Sequence, residues 1–461
     1  MGKNNMDMTS GNLFKKIIIY SIPIMLTSVL QLLYNACDLM IVGKFAENGT
    51  EALAAVGGTG ALINLITSLF IGLSIGASVS FARSIGKGDH DRANRAVHTA
   101  VIVSLLASII ITIVGILLAR TLLELMKSPD EVIDLSTLYV KIYFVGTVFN
   151  LLYNFTSALV RANGDTRRPL IILMFSGLAN VLFNLVFVLV FKMSVEGVAI
   201  ATVISQAISA IAMMAILFKE KGPLNFALNK LCLDKDIFKE MVIIGLPSGI
   251  QSSFFSISNM TIQSAVNSFN DVSIISGNTA AGNLEGFVYV AMNSIHQATL
   301  NFTGQNYGAK KYENIKKTLI YSLLLTLVVG EVLGISFYLL GPWLLQLYTD
   351  SPLVIDFALH RMQYVCLIYA LYGMMDILVG EMRGLGYSFV PMIISLLGIC
   401  AFRVLWVNAV FYKNPTLTTL YISYPISWII TGVVLTVAVI LALIKVKKKF
   451  EIEKNEELVL V

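Results

Sequence analysis

Long apolar runs recur along the whole chain, each close to the roughly 20 helical residues that cross a bilayer. Short charged segments separate them. The pattern predicts an all-α polytopic membrane protein with twelve transmembrane helices, because each run can span the membrane once. The predicted spans are approximately 17–43, 52–82, 96–119, 135–160, 169–191, 195–218, 241–267, 276–304, 318–344, 354–382, 388–412 and 418–444.

Composition agrees with the span pattern. The chain has 461 residues, of which 56% are hydrophobic and 13% charged, whereas soluble domains are roughly 45–50% apolar and about 25% charged. So few charges cannot cover the surfaces of soluble domains, which excludes a soluble enzyme, a nucleic-acid-binding module and a disordered chain. The four cysteines form no CxxC and no metal-ligand spacing, so we expect no metal site and no cofactor.

The basic residues predict the topology. Of the 33 Lys and Arg residues, 25 fall in segments on one side of the predicted membrane, six on the other, and Lys141 and Arg403 within spans. Cytoplasmic loops carry the excess of Lys and Arg. We therefore expect a multi-pass protein of the cell (cytoplasmic) membrane with both termini in the cytoplasm.

An internal repeat divides the chain into two homologous halves. The pattern R-x-x-G-x-[ST]-x-x-P occurs at residues 161–169 and again at 383–391, a displacement of 222 residues. Two six-helix lobes with a cleft between them suit alternating access, which favours a transporter. The predicted segments are a cytoplasmic N-terminal segment 1–16, an N-lobe 17–218, a cytoplasmic linker 219–240, a C-lobe 241–444 and a cytoplasmic tail 445–461.

Four short stretches carry a family resemblance. They are D-L-M-I-V-G at 38–43, E-G-V-A-I-A-T at 196–202, F-T-G-Q-N-Y-G at 302–308 and R-G-L-G at 383–386. In this order, on a duplicated twelve-span chain, the sequence resembles the multidrug and toxic compound extrusion (MATE) transporters. The resemblance implies a V-shaped pair of lobes and export of organic cations or amphipathic drugs in exchange for H⁺ or Na⁺. Some branches carry an acid where this chain has Asn184, so either ion stays open.

Asp38 is the candidate ion-coupling residue. It is the only charge between Lys16 and Lys44, and a charge within the membrane is costly and demands a reason. A carboxylate shielded from water can take up and release a cation, as an antiporter requires. The alternative is a surface-facing Asp that caps a helix end. The resemblance implies the coupling role, since the position is similar to the first-lobe acid of the family.

Amide and hydroxyl side chains could surround Asp38. Asn150 and Asn154 are spaced i,i+4, as are Asn180 and Asn184, so each pair shares one face of its helix. Thr202 on span 6 joins the predicted cation-coupling group. Amides in a bilayer must find partners, and ordinary interhelical hydrogen bonding is the alternative for each.

Span 8 carries a second candidate site. Glu285, Tyr289, Asn293 and His296 form one polar stripe that could bind a cationic substrate. Alternatively, Glu285 pairs with a base such as Arg403 as a structural contact. Polarizable and aromatic side chains suit drug binding, and further predicted substrate-binding residues are Tyr34, Tyr153, Phe255, Met292 and Gln263.

The remaining alternatives are a flippase for a lipid-linked oligosaccharide and a membrane enzyme. A flippase must accommodate an anionic pyrophosphate, and only Lys141 and Arg403 are predicted as bases within spans, against several acids. An enzyme would need a nucleophile and a base together, and the sequence offers no such set. We expect a monomer that acts on small-molecule cationic or amphipathic substrates in the lipid bilayer, with no nucleic-acid partner.

Overall fold

The computed structural model describes residues 6–126 and 128–459, except for the side chains of residues 457–459, and this part of the chain contains helices and no β-strand. Lys3 and Lys127, two of the residues counted for topology, lie outside the described residues. Twelve long helical elements, α1 to α12, follow one another in chain order.

The first six elements are continuous helices except for α4 and α5. The two segments of α4 meet at Gly146 with a bend of 47°, and α5 ends in a π-helical turn. Their bounds are α1 Leu13–Phe45, α2 Gly49–Lys87, α3 His90–Leu125, α4 Asp130–Val145 with Thr147–Ala162, α5 Arg167–Leu185 with the π turn Val186–Val190, and α6 Val195–Lys219.

The second six elements follow a linker that contains the 3₁₀ turn Leu228–Lys230. Their bounds are α7 Lys235–Asn267, α8 Val272–Gly308, α9 Tyr312–Leu339, α10 Pro352–Val365 and Tyr369–Gly384 around the 3₁₀ turn Cys366–Ile368, α11 Phe389–Ser395 and Phe402–Ala409 around the π turn Leu396–Ala401, and α12 Ser423–Val459. Three short helical pieces complete the order, Gly341–Leu345 after α9, and Phe411–Lys413 and Leu417–Tyr421 between α11 and α12.

Each predicted span overlaps one of these helices, with most ends within about six residues, but α12 continues to Val459, well past the predicted end at 444. Ten of the described helices are long and apolar enough to cross a membrane, and the bent α4 is an eleventh. The one predicted span that does not meet this test is the eighth, 276–304, which lies in α8, a helix of 37 residues that is long enough but too polar. Many polar side chains of α8 are buried inside the protein, which explains its weaker apolar signal.

The described chain forms two compact units. The first contains residues 6–7 and Leu26–Ser253, and the second contains Met8–Met25 and the described residues from Phe254 onward. The divisions therefore fall inside α1 and α7, whereas the predicted lobes 17–218 and 241–444 follow the duplication along the sequence.

Small residues hold α2 and the first part of α7 together in the first unit. A Cβ added at Gly72 would meet the backbone of Gly249, and one added at Gly76 would meet the carbonyl of Met241. Both helices repeat glycine every four residues here, at 72 and 76 and at 245 and 249. Such small-residue spacing lets membrane helices approach closely enough for backbone contact.

Candidate ion-coupling and substrate-binding sites

Asp38 lies in the interior of the first unit, with 8% of its surface exposed. Its position on α1 directs the carboxylate toward α5 and α6. The side-chain amide of Asn184 donates to Oδ1 of Asp38, and Oγ1 of Thr202 lies 3.4 Å from its Oδ2. The structure therefore brings together three residues of the predicted cation-coupling group from three different helices.

Asn180 completes this cluster. Its Oδ1 accepts from the Asn184 amide at 3.3 Å, and its own amide lies 3.5 Å from Oγ1 of Thr202. The Thr202 hydroxyl also lies 2.9 Å from the carbonyl of Val198. Because a hydroxyl has one proton to donate, the shorter contact to Val198 takes it, and Asn184 is the principal donor to Asp38.

Two buried oxygen atoms near this cluster are left without a hydrogen-bond donor among the described residues. They are Oδ1 of Asn184 and Oε1 of Gln206, which lies one helical turn beyond Thr202 on α6. Two tyrosines of α4, Tyr139 and Tyr143, lie within electrostatic range of Asp38. A buried acceptor without a donor is costly. These two oxygens can therefore contact a cation or a proton donor without the loss of an existing hydrogen bond.

Asn150 and Asn154 do not join Asp38. The amide of Asn154 donates to the carbonyl of Asn150 at 2.8 Å and lies 3.1 Å from its side-chain oxygen, both within α4. They form a local pair on the segment that follows the bend at Gly146. Their predicted role in ion coupling remains a prediction.

The predicted substrate residues Tyr34 and Tyr153 both contact α5. Tyr34 is half-buried, and its hydroxyl donates to the carbonyl of Met174 at 3.3 Å. Tyr153 is buried, and its hydroxyl lies 3.5 Å from the carbonyl of Pro169. The ring of Tyr34 is thus the more accessible of the two.

Glu285 in the second unit is paired with Arg361 of α10. The guanidinium donates through Nε to Oε1 at 2.8 Å and through Nη2 to Oε2 at 2.6 Å. Glu285 therefore pairs with a base, as the structural alternative expects, but the base is Arg361 and not Arg403. Arg361 is one of the six basic residues counted on the outer side of the predicted membrane, but it is a buried residue inside α10. The opposite charge of Glu285 offsets the cost of its burial.

A polar network extends from this ion pair. Nη1 of Arg361 donates to Oδ1 of Asn278 at 2.6 Å, and the Asn278 amide donates to Oε1 of Gln263 at 2.9 Å. The hydroxyl of Tyr421 donates to the same Asn278 oxygen at 3.3 Å. Glu285 and Gln263 thus belong to one network, and both carboxylate oxygens of Glu285 are already bound.

The rest of the span 8 stripe forms a separate group. The amide of Asn293 lies 3.4 Å from the Tyr289 hydroxyl, and its side-chain oxygen accepts from Gln297 at 3.0 Å. His296 lies beside Asp376 of α10, with Nδ1 3.4 Å from the carboxylate and 2.7 Å from the backbone carbonyl. Tyr289 and Asn293 are therefore adjacent, as their spacing predicts.

Met292 and Phe255 differ in their surroundings. Met292 is 1% exposed, and its sulfur packs against Gly330 and Gly373, so it fills the interior of the second unit. Phe255 on α7 is half-buried and retains accessible surface. No group of three or more His, Cys, Asp or Glu residues that could hold a metal ion occurs in residues 6–126 or 128–459.

Comparisons with known proteins identify the family of this chain. The MatE family profile matches residues 23–186 and again 247–407. The "Probable multidrug resistance protein YpnP" of Bacillus subtilis is 26% identical over 86% of this chain and 88% of its own length. The "FAD transporter" of Shewanella oneidensis is 22% identical over 86% of this chain and 87% of its own.

Solved structures agree in fold. An outward-facing multidrug resistance MATE family transporter of the MOP superfamily superposes with a TM-score of 0.88 at 22% identity, over 95% of this chain and 97% of that one. A MOP superfamily transporter from Pyrococcus furiosus, described by the reverse polarity of its binding pocket, gives 0.84 at 23% identity, over 96% of both chains. The predicted all-helical fold of two six-helix lobes is confirmed.

Proposed function

Because this chain belongs to the MatE family of multi-pass membrane transporters, we propose that it is a secondary-active multidrug efflux antiporter. Membership of that family identifies a transporter and not an enzyme. The proposed substrates are organic cations or amphipathic drugs, exported in exchange for H⁺ or Na⁺. The proposed setting is the cell membrane, with a monomeric chain and both termini in the cytoplasm, in line with the bias of Lys and Arg.

The observation that carries this proposal is the buried carboxylate of Asp38. It accepts its principal hydrogen bond from Asn184 and has no salt-bridge partner within the described residues. A buried acid without a counter-charge is poised to gain a cation or a proton, because either one removes the cost of the isolated charge. Exchange at Asp38 can therefore supply the driving step of antiport.

Both coupling ions suit the oxygen atoms around Asp38. Carboxylate, amide and hydroxyl oxygens of Asp38, Asn184 and Thr202 are the hard ligands that an alkali cation prefers. A proton needs only one carboxylate oxygen. The ion binds here as a transported species and shifts the equilibrium between inward- and outward-open states in proportion to its difference in affinity for them.

The relatives named for multidrug resistance support the drug-efflux part of the proposal. Half-buried aromatic side chains that remain accessible, such as Tyr34 and Phe255, offer ring faces for cationic aromatic compounds. The adjacent pair Tyr289 and Asn293 adds polar groups on α8.

The test is transport in everted membrane vesicles whose membranes contain the protein. Uptake of a fluorescent organic cation is followed while a pH gradient or a Na⁺ gradient is imposed separately. We expect one gradient to drive uptake in the wild type and Asp38→Asn to abolish that drive. The gradient that works identifies the coupling ion.

The matched control is Asp134→Asn, which removes the charge from an aspartate whose side chain is 81% exposed. It should transport like the wild type. Gradient-driven uptake that persists in Asp38→Asn would end the proposed coupling role, and absence of uptake under both gradients in the wild type would end the antiport proposal.

The second candidate function is a flippase for a lipid-linked oligosaccharide. The observation that favours it is the set of three buried arginines in the second unit, Arg361, Arg383 and Arg403, because an anionic pyrophosphate needs bases. Glu285 neutralises Arg361, which weakens the argument. Gradient-independent movement of a pyrophosphate-linked lipid across vesicles, with no cation uptake, would favour the flippase.

A further inference from the structure

Arg403 is a buried base whose charge is left uncompensated. It lies on α11 with 5% of its surface exposed. Its guanidinium lies 4.1 Å from the ring centroid of Tyr424, and its Nε is 3.4 Å from Oγ of Ser427. No carboxylate within the described residues lies within salt-bridge distance of Arg403, in contrast to Arg361, which Glu285 binds with both oxygens.

Trp428 on α12 adds a second buried donor to the same place. It is 2% exposed, and its indole Nε1–H finds no hydrogen-bond acceptor among the described residues. Buried N–H groups normally have partners, so each exception calls for an explanation. The indole N–H of Trp428 therefore lacks an acceptor, and the guanidinium of Arg403 has one long hydrogen bond and lacks a counter-charge.

Three tyrosine rings pack against the ring of Trp428, and we call these four residues the aromatic cage, Tyr369, Tyr372, Tyr424 and Trp428. The ring of Trp428 lies 5.5 Å from Tyr369, 5.7 Å from Tyr372 and 5.8 Å from Tyr424, measured between centroids. Ring separations of this size allow stacking and edge contacts. The cage therefore offers apolar faces beside an indole N–H without an acceptor and a guanidinium without a counter-charge.

The aromatic cage is accessible on its α10 side. Tyr369 and Tyr372 are half-buried and keep exposed surface, whereas Tyr424 and Trp428 are buried. Tyr372 also lies 5.9 Å from the ring of Tyr289, a residue of the predicted substrate site. The half-buried ring of Tyr289 therefore lies directly beside the α10 side of the cage.

We propose that Arg403 and the indole N–H of Trp428 bind the carboxylate, or a similar oxyanion, of an aromatic substrate whose ring system stacks in the aromatic cage. This assignment rests on the proposed efflux function and names a substrate class within it, aromatic compounds that carry an anionic group, including zwitterions. The oxyanion supplies an acceptor for the indole N–H and a counter-charge for the guanidinium. A purely cationic drug would leave them unpaired and would place its charge near the guanidinium.

The test uses two probes that differ in one group, a zwitterionic rhodamine with a free carboxylate and the ethyl ester of the same dye, which is a cation. Their dissociation constants are measured by fluorescence anisotropy on the purified full-length protein in detergent. We expect the wild type to bind the acid about tenfold more tightly than the ester. Arg403→Gln should remove that preference by weakening the acid alone.

Trp428→Phe is the second variant, because it removes the N–H and keeps a ring in the cage. It should weaken the acid about threefold and leave the ester unchanged. Its fold is less at risk than that of Arg403→Gln, so the proposal stays testable if that variant does not fold. Arg120→Gln, which alters an exposed arginine of the first unit, is the matched control and should not change either affinity.

Equal binding of acid and ester by the wild type would overturn the proposal. So would equal weakening of both probes in Arg403→Gln, because that result indicates a structural role for the arginine. Binding is measured without any ion gradient, so a failure of ion coupling in the vesicle assay leaves this outcome unaffected, and a failure here leaves the antiport proposal unaffected.

Discussion

The side-chain amide of Asn184 donates to the carboxylate of Asp38 and joins α5 to α1 across 146 positions of the sequence. The other N–H of the same amide reaches Asn180 at 3.3 Å, while the Asn184 oxygen has no donor among the described residues. One amide thus fixes the position of the only charge in the middle of α1 and presents a free acceptor beside it.

Removal of this amide is expected to damage coupling more than removal of the weaker contact at Thr202. Asn184→Ala should reduce gradient-driven transport about tenfold, because a hydrogen bond to a charged group contributes about 1.5–3 kcal/mol. Thr202→Val should reduce it about threefold, since the Thr202 hydroxyl is 3.4 Å from Asp38 and has a better acceptor in Val198. Initial rates under one fixed gradient measure both effects.

Asn154→Ala tests whether the pair Asn150 and Asn154 takes part in ion coupling as the pair Asn180 and Asn184 is proposed to do. Its amide bonds only within α4 in the contacts described, so transport should remain close to that of the wild type. A loss as large as that of Asn184→Ala would instead support the original prediction that Asn150 and Asn154 take part in ion coupling.

The spacing of residues along a helix predicts which side chains share a face of that helix. It does not predict which neighbouring helix packs against that face. Asn180 and Asn184 lie in the cluster around Asp38. Asn150 and Asn154 follow a 47° bend at Gly146, and the sequence has no proline there from which the bend could be predicted. Rotation of a helix about its own axis depends on packing against its neighbours, and the spacing within one helix does not encode it.

Arg361 and Trp428 were missed for a different reason. A count of Lys and Arg by segment cannot distinguish an arginine in a loop from one inside a span that a distant acid neutralises. Glu285, which neutralises Arg361, is 76 positions away. The available signal was the position of Arg361 inside the predicted span 354–382. Trp428 gave no signal, because an indole without an acceptor is visible only once its surroundings are known.

The ion pair of Glu285 and Arg361 is expected to be structural. Glu285→Gln and Arg361→Gln should each destabilise the protein by about 3–5 kcal/mol, because each leaves one buried charge without its partner. The double variant should be less destabilised than the sum of the two. Melting temperatures in detergent measure this cycle, and additive single effects would contradict the direct coupling seen in the geometry.

Backbone contact between α2 and α7 predicts a position-specific response to alanine. Gly76→Ala should destabilise the protein by about 1–3 kcal/mol, because the new Cβ would overlap the carbonyl of Met241. Gly58→Ala on the same helix meets no atom within 4 Å, and should be neutral or stabilising, since alanine favours helix by about 1 kcal/mol over glycine. Equal melting temperatures for the two variants would contradict this close approach.

Asp234 caps the start of α7 and supplies a pH-dependent contribution to stability. Its Oδ1 accepts from the backbone N–H of Ile237 at 3.1 Å, and its Oδ2 accepts from Nε of Arg95 at 2.9 Å. The hydrogen bond from Ile237, aided by the contact with Arg95, lowers the pKa of Asp234 below its ordinary value of 3.8. A carboxylate whose pKa is lower in the folded state stabilises that state at any pH above the ordinary value, and the contribution disappears as the pH falls through the lowered one.

Asp234→Ala is therefore expected to cost about 1 kcal/mol at neutral pH, the usual loss for a helix cap, and progressively less in a pH series that descends to about 3. Thermal melts of the purified protein measure the difference from the wild type at each pH. Asp236→Ala, which removes an exposed acid from the first turn of the same helix, is the matched control and should show a smaller loss at neutral pH. A loss for Asp234→Ala that stays constant down to the lowest pH would show that its carboxylate charge does not stabilise the start of α7.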